Sequence, residues 1–211
     1  FPALDDAAEA LAARVSEAGG VERYLGQRHR LRVRRMPSNV LMGSLRRHDR
    51  HREEILIDEA LDAASQAFQL ALQLAYLELR REIDAALLLP EAPQGDAART
   101  IARRSLGSYA AAAIRMPYAA FARAAEARSY DIALLCRLFG ASFEQVSHRL
   151  TTLQKPGQEK LPFFFIRVDA AGNVSKRLDG AGFPFARHGG GCPLWSLHEA
   201  FAMPGRILTQ W

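Results

Sequence analysis

The sequence predicts an α+β fold, in which a mostly helical domain at residues 1–154 precedes a smaller, partial α/β domain at residues 155–211. In the first domain, apolar residues recur at the three- and four-residue spacing of amphipathic helices. The spacing is interrupted by the proline- and glycine-containing stretch QKPGQEKLP at 154–162. The following run, FFFIRVDAAGNVSKRLD, has two β-favouring segments around an Asn-containing turn and predicts a β-hairpin.

Composition excludes several classes of protein. The chain has 211 residues, of which 49% are hydrophobic, so it is long enough to bury a core. It contains no run of 18 uncharged apolar residues, and its first residues are acidic and amphipathic, which argues against a membrane span, a membrane partner and a signal peptide. Cys136 and Cys192 are the only cysteines, so we expect no disulfide framework and a cytoplasmic location. The missing initiator methionine suggests a fragment.

The basic residues are concentrated in one segment. Residues 28–52 contain nine arginines and one aspartate, within a chain of net charge +5. Such a segment predicts a polyanionic partner, with DNA or a nucleotide-like ligand as candidates, although a solvated arginine-rich surface explains it equally well. The three histidines in the segment, His29, His48 and His51, are expected to face solvent with the arginines.

The first half of the helical domain is predicted to mix helices and short strands. Residues 3–18 have helical periodicity that ends at two glycines. Residues 29–36 alternate apolar side chains with arginines, as in an edge strand with a charged outer face. Ile55 to Ile57 form a short apolar strand, and one long buried helix is predicted from there to about residue 89.

The second half is predicted to be helical, with helices at 97–114 and 117–128 after the loop PEAPQGD. The stretches YDIALLCRLFG and SFEQVSHRLTTL then predict two helices that meet at a glycine, with Ser142 and Gln145 forming a capping box. The pair has the spacing of a helix-turn-helix, in which Gln145, His148 and Arg149 would face DNA. A structural helix–helix corner is the alternative. The final RILTQW predicts a strand.

The glycine-rich stretch RHGGGCPLW at 187–195 has four interpretations. Consecutive glycines can orient their backbone N–H groups toward an anion, and the Arg187 guanidinium would add further hydrogen-bond donors. The first interpretation is therefore a phosphate-binding loop. The alternative is a tight turn anchored by Pro193 and Trp195. Cys192 is a weak metal candidate with His188 or His198, because two or three ligands do not complete a zinc site. No base and orienting acid are evident nearby for a nucleophilic thiol.

Several motifs together resemble known families. The helix AFQLALQLAYLE, with YAAAAIRMPYAAFARAA and the helix pair after it, resembles the ImmA/IrrE-type, zincin-like peptidase domain. The stretches LPFFFIRVDAAGNVSKR and FARHGGGCPLWSLHEAF resemble the C-terminal domain of the short-chain fatty-acyl-CoA regulators. The resemblance covers roughly residues 30–211.

The departures from the peptidase pattern determine what the resemblance implies. The two zinc-binding histidines of the family correspond to Leu72 and Tyr76, the catalytic glutamate to Gln73, and the acidic third ligand to a position near Leu106. Leucine cannot ligate zinc and glutamine is a poor base. The resemblance therefore implies a pseudo-peptidase that is not an enzyme, with no catalytic cofactor and no bound zinc.

By the same resemblance, the chain is the ligand-sensing part of a cytoplasmic bacterial transcriptional regulator. The implied effector is a short-chain acyl-CoA such as acetyl- or propionyl-CoA, and the implied DNA contact is made by an N-terminal helix-turn-helix domain absent from this sequence. A homodimer or higher homo-oligomer is expected. The alternative is an enzyme, either a zinc metallopeptidase or a thiol-dependent acyl-CoA hydrolase using Cys192.

A CoA ester combines phosphates with a thin acyl tail, so its site should join anion donors to a small apolar slot. The C-terminal domain offers one such set, and the vacated peptidase cleft offers a competing one. The first set comprises Arg187, Gly189, Gly190, Gly191, Phe163, Phe165, Arg167 and Trp195, and the second comprises Gln73, Tyr76 and Arg115.

Overall fold

A computed structural model describes residues 1–90, 92–182 and 196–208. The chain divides into two compact units, Phe1–Arg149 and Leu150–Trp211. Helices and small sheets are both present, so the predicted α+β class is confirmed. The elements are α1 (Pro2–Glu17), α2 (Val21–His29), β1 (Arg32–Met36), β2 (Arg46–Asp49), β3 (Glu54–Asp58), α3 (Ala63–Glu78), α4 (Arg80–Ala86), α5 (Asp96–Arg115), α6 (Tyr118–Ala127), α7 (Ile132–Phe139), α8 (Phe143–Leu150), β4 (Phe164–Val168), β5 (Val174–Asp179) and α9 (Leu197–Ala200).

The first unit contains a three-stranded sheet in the order β1–β3–β2. The central strand β3 runs parallel to β1 and antiparallel to β2, and all five of its residues are buried. Ile55 and Ile57 belong to the hydrophobic core. Because directly opposed residues of paired strands point to the same face, His48 opposite Ile55 and Arg46 opposite Ile57 also point to the core side.

The helical core is formed mainly by α3 and α5, with α1 packed on α5. Their contact surfaces are rich in alanine, which lets the helix axes approach closely. The single long helix predicted after β3 is interrupted at Leu79, whose backbone leaves the helical region (φ −112°, ψ 24°). The change of direction lets both Leu79 and Ile83 enter the core. The alanines involved are Ala71, Ala75, Ala110, Ala111 and Ala113.

Two elements of the first unit differ from the sequence-based expectation. Helix α2 is short and ends at Arg30, which adopts the left-handed conformation (φ 58°). Strand β2 has the sequence RRHD and carries no alternation of apolar and polar residues. The signal is missing because the two positions that face the core side are Arg46 and His48. A polar side chain on the inner face of a strand is unusual, and here it marks the candidate site described below.

The predicted helix pair and its capping box are confirmed. Gly140 ends α7 in the left-handed conformation (φ 57°). The Gln145 backbone N–H donates to Ser142 Oγ at 3.2 Å, and the Ser142 N–H donates to Gln145 Oε1 at 3.2 Å. The two bonds satisfy the first donors of α8 reciprocally.

The interpretation of α8 as a DNA-reading helix is wrong. Arg149 is 1% exposed, and its Nη2 donates to Asp5 Oδ1 at 2.8 Å while its Nε donates to the Met116 carbonyl at 3.0 Å. Gln145 is engaged by the cap, and His148 contacts Glu144 on the same helix. The helix therefore packs inward as a structural corner.

The predicted β-hairpin of the second unit is confirmed. β4 and β5 pair antiparallel, with Phe165 opposite Leu178. At the turn, Asp169 Oδ1 accepts the backbone N–H groups of Ala171 and Asn173, each at 2.9 Å. The strand predicted at the C-terminus is absent from the described residues 206–208, and 209–211 lie outside the described residues. A strand there would need a hydrogen-bonding neighbour, and the described part of the second unit pairs only β4 with β5.

None of the helices in the described ranges is long and apolar enough to cross a membrane.

Candidate functional site

The candidate site lies where β2 faces α3 in the first unit. Gln69, Gln73 and Tyr76 follow one another along one face of α3, because residues three and four apart share a helix face. They meet the inward-pointing side chains of Arg46 and His48 on β2. We call these five residues the β2–α3 cluster.

Specific contacts join the two elements of the cluster. Arg46 Nη1 donates to the Gln69 carbonyl oxygen at 2.8 Å, and the Arg46 guanidinium carbon lies 5.8 Å from the centre of the Tyr76 ring. Gln73 Nε2 lies 3.3 Å from His48 Nδ1. Gln73 is 6% exposed, so its amide is held within the unit.

Arg46 carries a charge that no described acidic side chain balances. Burial lowers the pKa of Arg46, and the interaction that raises it comes from Tyr76, not from a carboxylate. No ion pair joins Arg46 to any residue within the described ranges. An arginine remains protonated in such surroundings. The cluster therefore presents a positive charge to its interior.

His48 lies close to the positive charges of Arg46 and Arg50. Burial lowers the pKa of His48, and the nearby charges of Arg50 and Arg46 lower it further. A neutral imidazole has one donor and one acceptor nitrogen. Because the Gln73 amide nitrogen can only donate, Nδ1 of His48 is assigned as the acceptor and Nε2 as the protonated nitrogen. The expectation that His48 faces solvent is wrong, since its position on β2 points it inward.

Tyr76 lies directly on helix α5. A Cβ atom added at Gly107 would be 2.6 Å from the Tyr76 hydroxyl oxygen, so only glycine leaves room for the ring. The neighbouring Leu106 is 6% exposed. Tyr76 and Leu106 stand at two of the positions where the peptidase pattern requires zinc ligands. The close contact with Gly107 fixes the position of the Tyr76 ring on α5.

The residues at the zinc positions do not fit a metal ion. Leu72 and Leu106 are hydrocarbon side chains, and Gln73 is an amide in place of the carboxylate that would activate water. In the ranges 1–90, 92–182 and 196–208, no three His, Cys, Asp or Glu side chains are placed to hold a metal.

Elemental analysis of the purified chain is expected to find no zinc bound in the first unit. The physical reason is that Leu72 and Leu106 offer no lone pair. The measurement should include a Cys192→Ser variant, which removes any zinc held by that thiol. Near-stoichiometric zinc that persists in Cys192→Ser and is lost in Tyr76→Phe would contradict the prediction.

His29 was also expected to face solvent, and this expectation is wrong. Its Nε2 lies 2.8 Å from Glu78 Oε1, which also accepts from the Tyr24 hydroxyl at 3.3 Å. The Glu78 side chain is 16% exposed. These bonds fasten α2 to the end of α3. Of the three histidines in the arginine-rich segment, His51 is the one that is exposed.

Arg115 is not brought into the β2–α3 cluster. Its Nη1 donates to the Ala64 carbonyl at 2.9 Å and to Gln145 Oε1 at 3.0 Å, and its Nη2 donates to the Gly140 carbonyl at 2.5 Å. Ala64 precedes Gln73 by nine residues on α3, which is about 13 Å along a helix. Arg115 thus joins the start of α3 to the α7–α8 turn.

The C-terminal candidate residues are described only in part. Phe163 and Phe165 are half-buried, and Arg167 is exposed, with its Nε donating to Ser175 Oγ at 2.9 Å. Alternation along β4 places Phe165 and Arg167 on the same face. The remaining candidates lie outside the described residues: Arg187, Gly189, Gly190, Gly191, Cys192 and Trp195.

Comparison with known proteins gives two family matches. Residues 27–151 match the IrrE N-terminal-like domain, and residues 152–211 match the short-chain fatty acyl coenzyme A regulator, C-terminal, domain. A solved structure of a Mycobacterium tuberculosis transcriptional regulator superposes with a TM-score of 0.89 at 38% identity, covering 99% of this chain and 64% of that chain.

Curated relatives are named as regulators. The HTH-type transcriptional regulator RamB of Mycobacterium tuberculosis is 40% identical over 99% of this chain and 44% of its own length. The propionyl-CoA carboxylase regulator of Cereibacter sphaeroides is 48% identical over 70% of this chain and 32% of its own length. PrpR of Mycobacterium tuberculosis is 48% identical over 68% of this chain and 29% of its own length.

This chain spans less than half the length of these curated relatives. Each of them is named as a regulator, in agreement with the predicted family of regulators. The metallopeptidase and hydrolase alternatives have no support from these names. The chain belongs to the family of the IrrE N-terminal-like domain, which it matches over residues 27–151, and its residues 152–211 match the C-terminal domain of the short-chain fatty acyl coenzyme A regulators.

Proposed function

We propose that this chain is the effector-sensing part of a cytoplasmic transcriptional regulator and that it binds a short-chain acyl-CoA such as acetyl- or propionyl-CoA. In this proposal, another domain of the full-length protein contacts DNA, and the regulator acts as a homodimer or higher homo-oligomer. The match of residues 152–211 to the regulators' C-terminal domain supports the proposed effector class.

The proposal rests mainly on the β2–α3 cluster, in which side chains suited to bind a ligand stand at positions that the peptidase family uses for catalysis. Gln73 stands where a general base is required, and Tyr76 fills a ligand position. The resulting surface offers amide, phenol and guanidinium donors beside hydrocarbon, as a small-molecule site does. It contains no described carboxylate to activate water. Such a surface suits a ligand that is bound without being consumed.

The charge distribution of the first unit supports an anionic ligand. CoA esters carry several phosphates, and the guanidinium groups of arginines bind phosphates through paired hydrogen bonds. Strand β1 and the β2–β3 turn carry exposed arginines close in sequence to the cluster. Among these, Arg32 and Arg34 are bound to Glu54, at 3.2 and 3.4 Å. The other exposed arginines of this region are Arg28, Arg30, Arg35, Arg47, Arg50 and Arg52.

The C-terminal residues form the competing site for the same ligand. Arg187 and the backbone N–H groups of Gly189, Gly190 and Gly191 would hold the phosphates. Phe163, Phe165 and Trp195 would line the acyl slot, with Arg167 nearby. This alternative keeps the function and changes only the location of the ligand.

Calorimetric titration with propionyl-CoA tests the function and locates the ligand. We expect binding by the wild-type chain, a Kd about tenfold higher for Tyr76→Ala, and an unchanged Kd for Arg187→Ala and for the exposed control Arg123→Ala. A tenfold change corresponds to about 1.4 kcal/mol. A ten- to hundredfold loss in Arg187→Ala alone would place the ligand in the C-terminal site instead.

Mass spectrometry of the titrated sample provides the second readout. Propionyl-CoA should be recovered intact, because a sensor releases its effector unchanged. Accumulation of free CoA that disappears in Cys192→Ser would show a thiol-dependent hydrolase. The absence of binding at millimolar propionyl-CoA would contradict the proposed function.

A further inference from the structure

We infer that Arg46 binds a carboxylate group, and that the acyl chain recognised by this site therefore carries a free carboxylate in addition to its thioester. The acyl-CoA part of this inference rests on the function proposed above. The ligand class is a short dicarboxylic acyl thioester, such as a malonyl or methylmalonyl ester.

The side chain of Arg46 points toward the core side of the sheet. Its strand neighbour Arg47 is exposed and stands opposite Leu56, on the other face of the sheet. Arg46 stands opposite Ile57, which is fully buried in the core. Strand alternation therefore turns one arginine to solvent and the next toward α3. The inward position removes water from the Arg46 guanidinium, and its pKa is lowered by that burial.

Arg46 has fewer hydrogen-bond acceptors than the other engaged arginines. Arg149 is buried against Asp5, and Arg35 is paired with Glu22. Arg115 has three backbone carbonyls and the Gln145 oxygen as acceptors. Arg46 has the backbone and side-chain oxygens of one residue, Gln69, both reached through Nη1. Its Nε and Nη2 have no acceptor in the described part of the chain.

A guanidinium in these surroundings is suited to bind an anion. An inward cation without an acidic partner costs free energy unless an anion balances it. A guanidinium edge holds a planar carboxylate through two parallel hydrogen bonds. Gln73 and Tyr76 add uncharged donors beside it, and Leu72 provides hydrocarbon next to them. One inward arginine with neutral companions matches the single charge of a carboxylate better than the higher charge of a phosphate.

The test compares ligands that differ by one carboxylate, using the whole chain and calorimetry. We expect methylmalonyl-CoA to bind at least tenfold more tightly than propionyl-CoA, the gain of one charge-assisted bidentate contact. Arg46→Gln should abolish this preference, so that methylmalonyl-CoA and propionyl-CoA bind to the variant with similar Kd values. The matched control Arg47→Gln should retain the preference. Free methylmalonate and free propionate are titrated in parallel, to separate an acyl carboxylate from a free acid.

The melting temperature of the ligand-free variants tests for a purely structural role. Since Arg46 has no acidic partner, Arg46→Gln should melt at the wild-type temperature or above it. A clear fall in melting temperature with the preference for methylmalonyl-CoA retained would overturn the inference. An equal loss of affinity for CoA, propionyl-CoA and methylmalonyl-CoA in Arg46→Gln would also overturn it, because Arg46 would then contact the part common to all three.

The outcomes separate this inference from the proposed function. If all CoA esters bind alike in wild type and Arg46→Gln, the function stands and the carboxylate inference fails. If free methylmalonate or propionate binds and is lost in Arg46→Gln while no CoA ester binds, the carboxylate inference stands and the acyl-CoA function fails.

Discussion

Replacing Arg149 by methionine is expected to lower the free energy of unfolding by about 3–5 kcal/mol, the usual cost of removing one partner of a buried ion pair. Arg149 and Asp5 are 1% and 2% exposed, and they join α8 to α1 across 144 positions of sequence. Without Arg149, the Asp5 carboxylate stays buried and loses its counter-charge. Urea unfolding followed by circular dichroism measures the change.

Aromatic rings enclose this ion pair. The Arg149 guanidinium carbon lies 5.8 Å from the Tyr109 ring centre and 5.7 Å from that of Tyr118. The Tyr109 hydroxyl donates to Asp5 Oδ2. Burial and the charge of Asp5 raise the pKa of Tyr109, so its hydroxyl remains a donor throughout the neutral range. Asp5 therefore retains one partner when Arg149 is removed, which argues for the lower part of the expected range.

Two controls identify the cause of the loss. Arg123→Met removes an exposed arginine from α6 and should change stability by less than about 0.5 kcal/mol. The double variant Asp5→Leu/Arg149→Met removes both charges and should recover most of the loss, because a buried pair replaced by apolar groups is often neutral. A loss below 1 kcal/mol in Arg149→Met would show that the pair is not a main stabiliser of the first unit.

Local sequence signals predicted the parts of the fold that depend on neighbouring residues. The Ser142–Gln145 capping box lies within four positions, and the β4–β5 hairpin depends on its own turn around Asp169. Such features are visible without the rest of the chain. For the same reason, the predicted bounds of α1 and α5 agree with those in the structure to within one or two residues.

Features that depend on distant residues were not predictable. Arg149 has the same sequence signature whether it faces DNA or Asp5, and only the fold brings Asp5 to it. Strand β2 was missed because its inward positions are Arg46 and His48, which break the apolar alternation. Positions 73 and 76 of the candidate site were reached through family resemblance. Arg46 could have been separated from the other arginines only by its register on the sheet.

The close contact between Gly107 and Tyr76 should also produce a large effect. Leucine at position 107 is expected to lower the free energy of unfolding by about 2–3 kcal/mol, because overpacking a filled contact forces side chains or backbone to move. Helix propensity alone predicts that Gly107→Leu raises the free energy of unfolding, since glycine inside a helix costs about 1 kcal/mol relative to good helix formers. A measured loss therefore reports the contact with Tyr76 and not the backbone of α5.

A compensating pair makes this prediction specific. Gly107→Leu/Tyr76→Ala moves side-chain volume from α3 to α5, so the double variant should be within about 1 kcal/mol of wild type, with a coupling of about 2 kcal/mol between the sites. Ser108→Leu, on the exposed neighbouring position of α5, is the matched control and should be nearly neutral. Urea unfolding of the four proteins gives the coupling. Additive effects of the two single changes would show that the ring does not depend on glycine at 107, and the β2–α3 cluster would then lose the contact that holds Tyr76 beside Arg46.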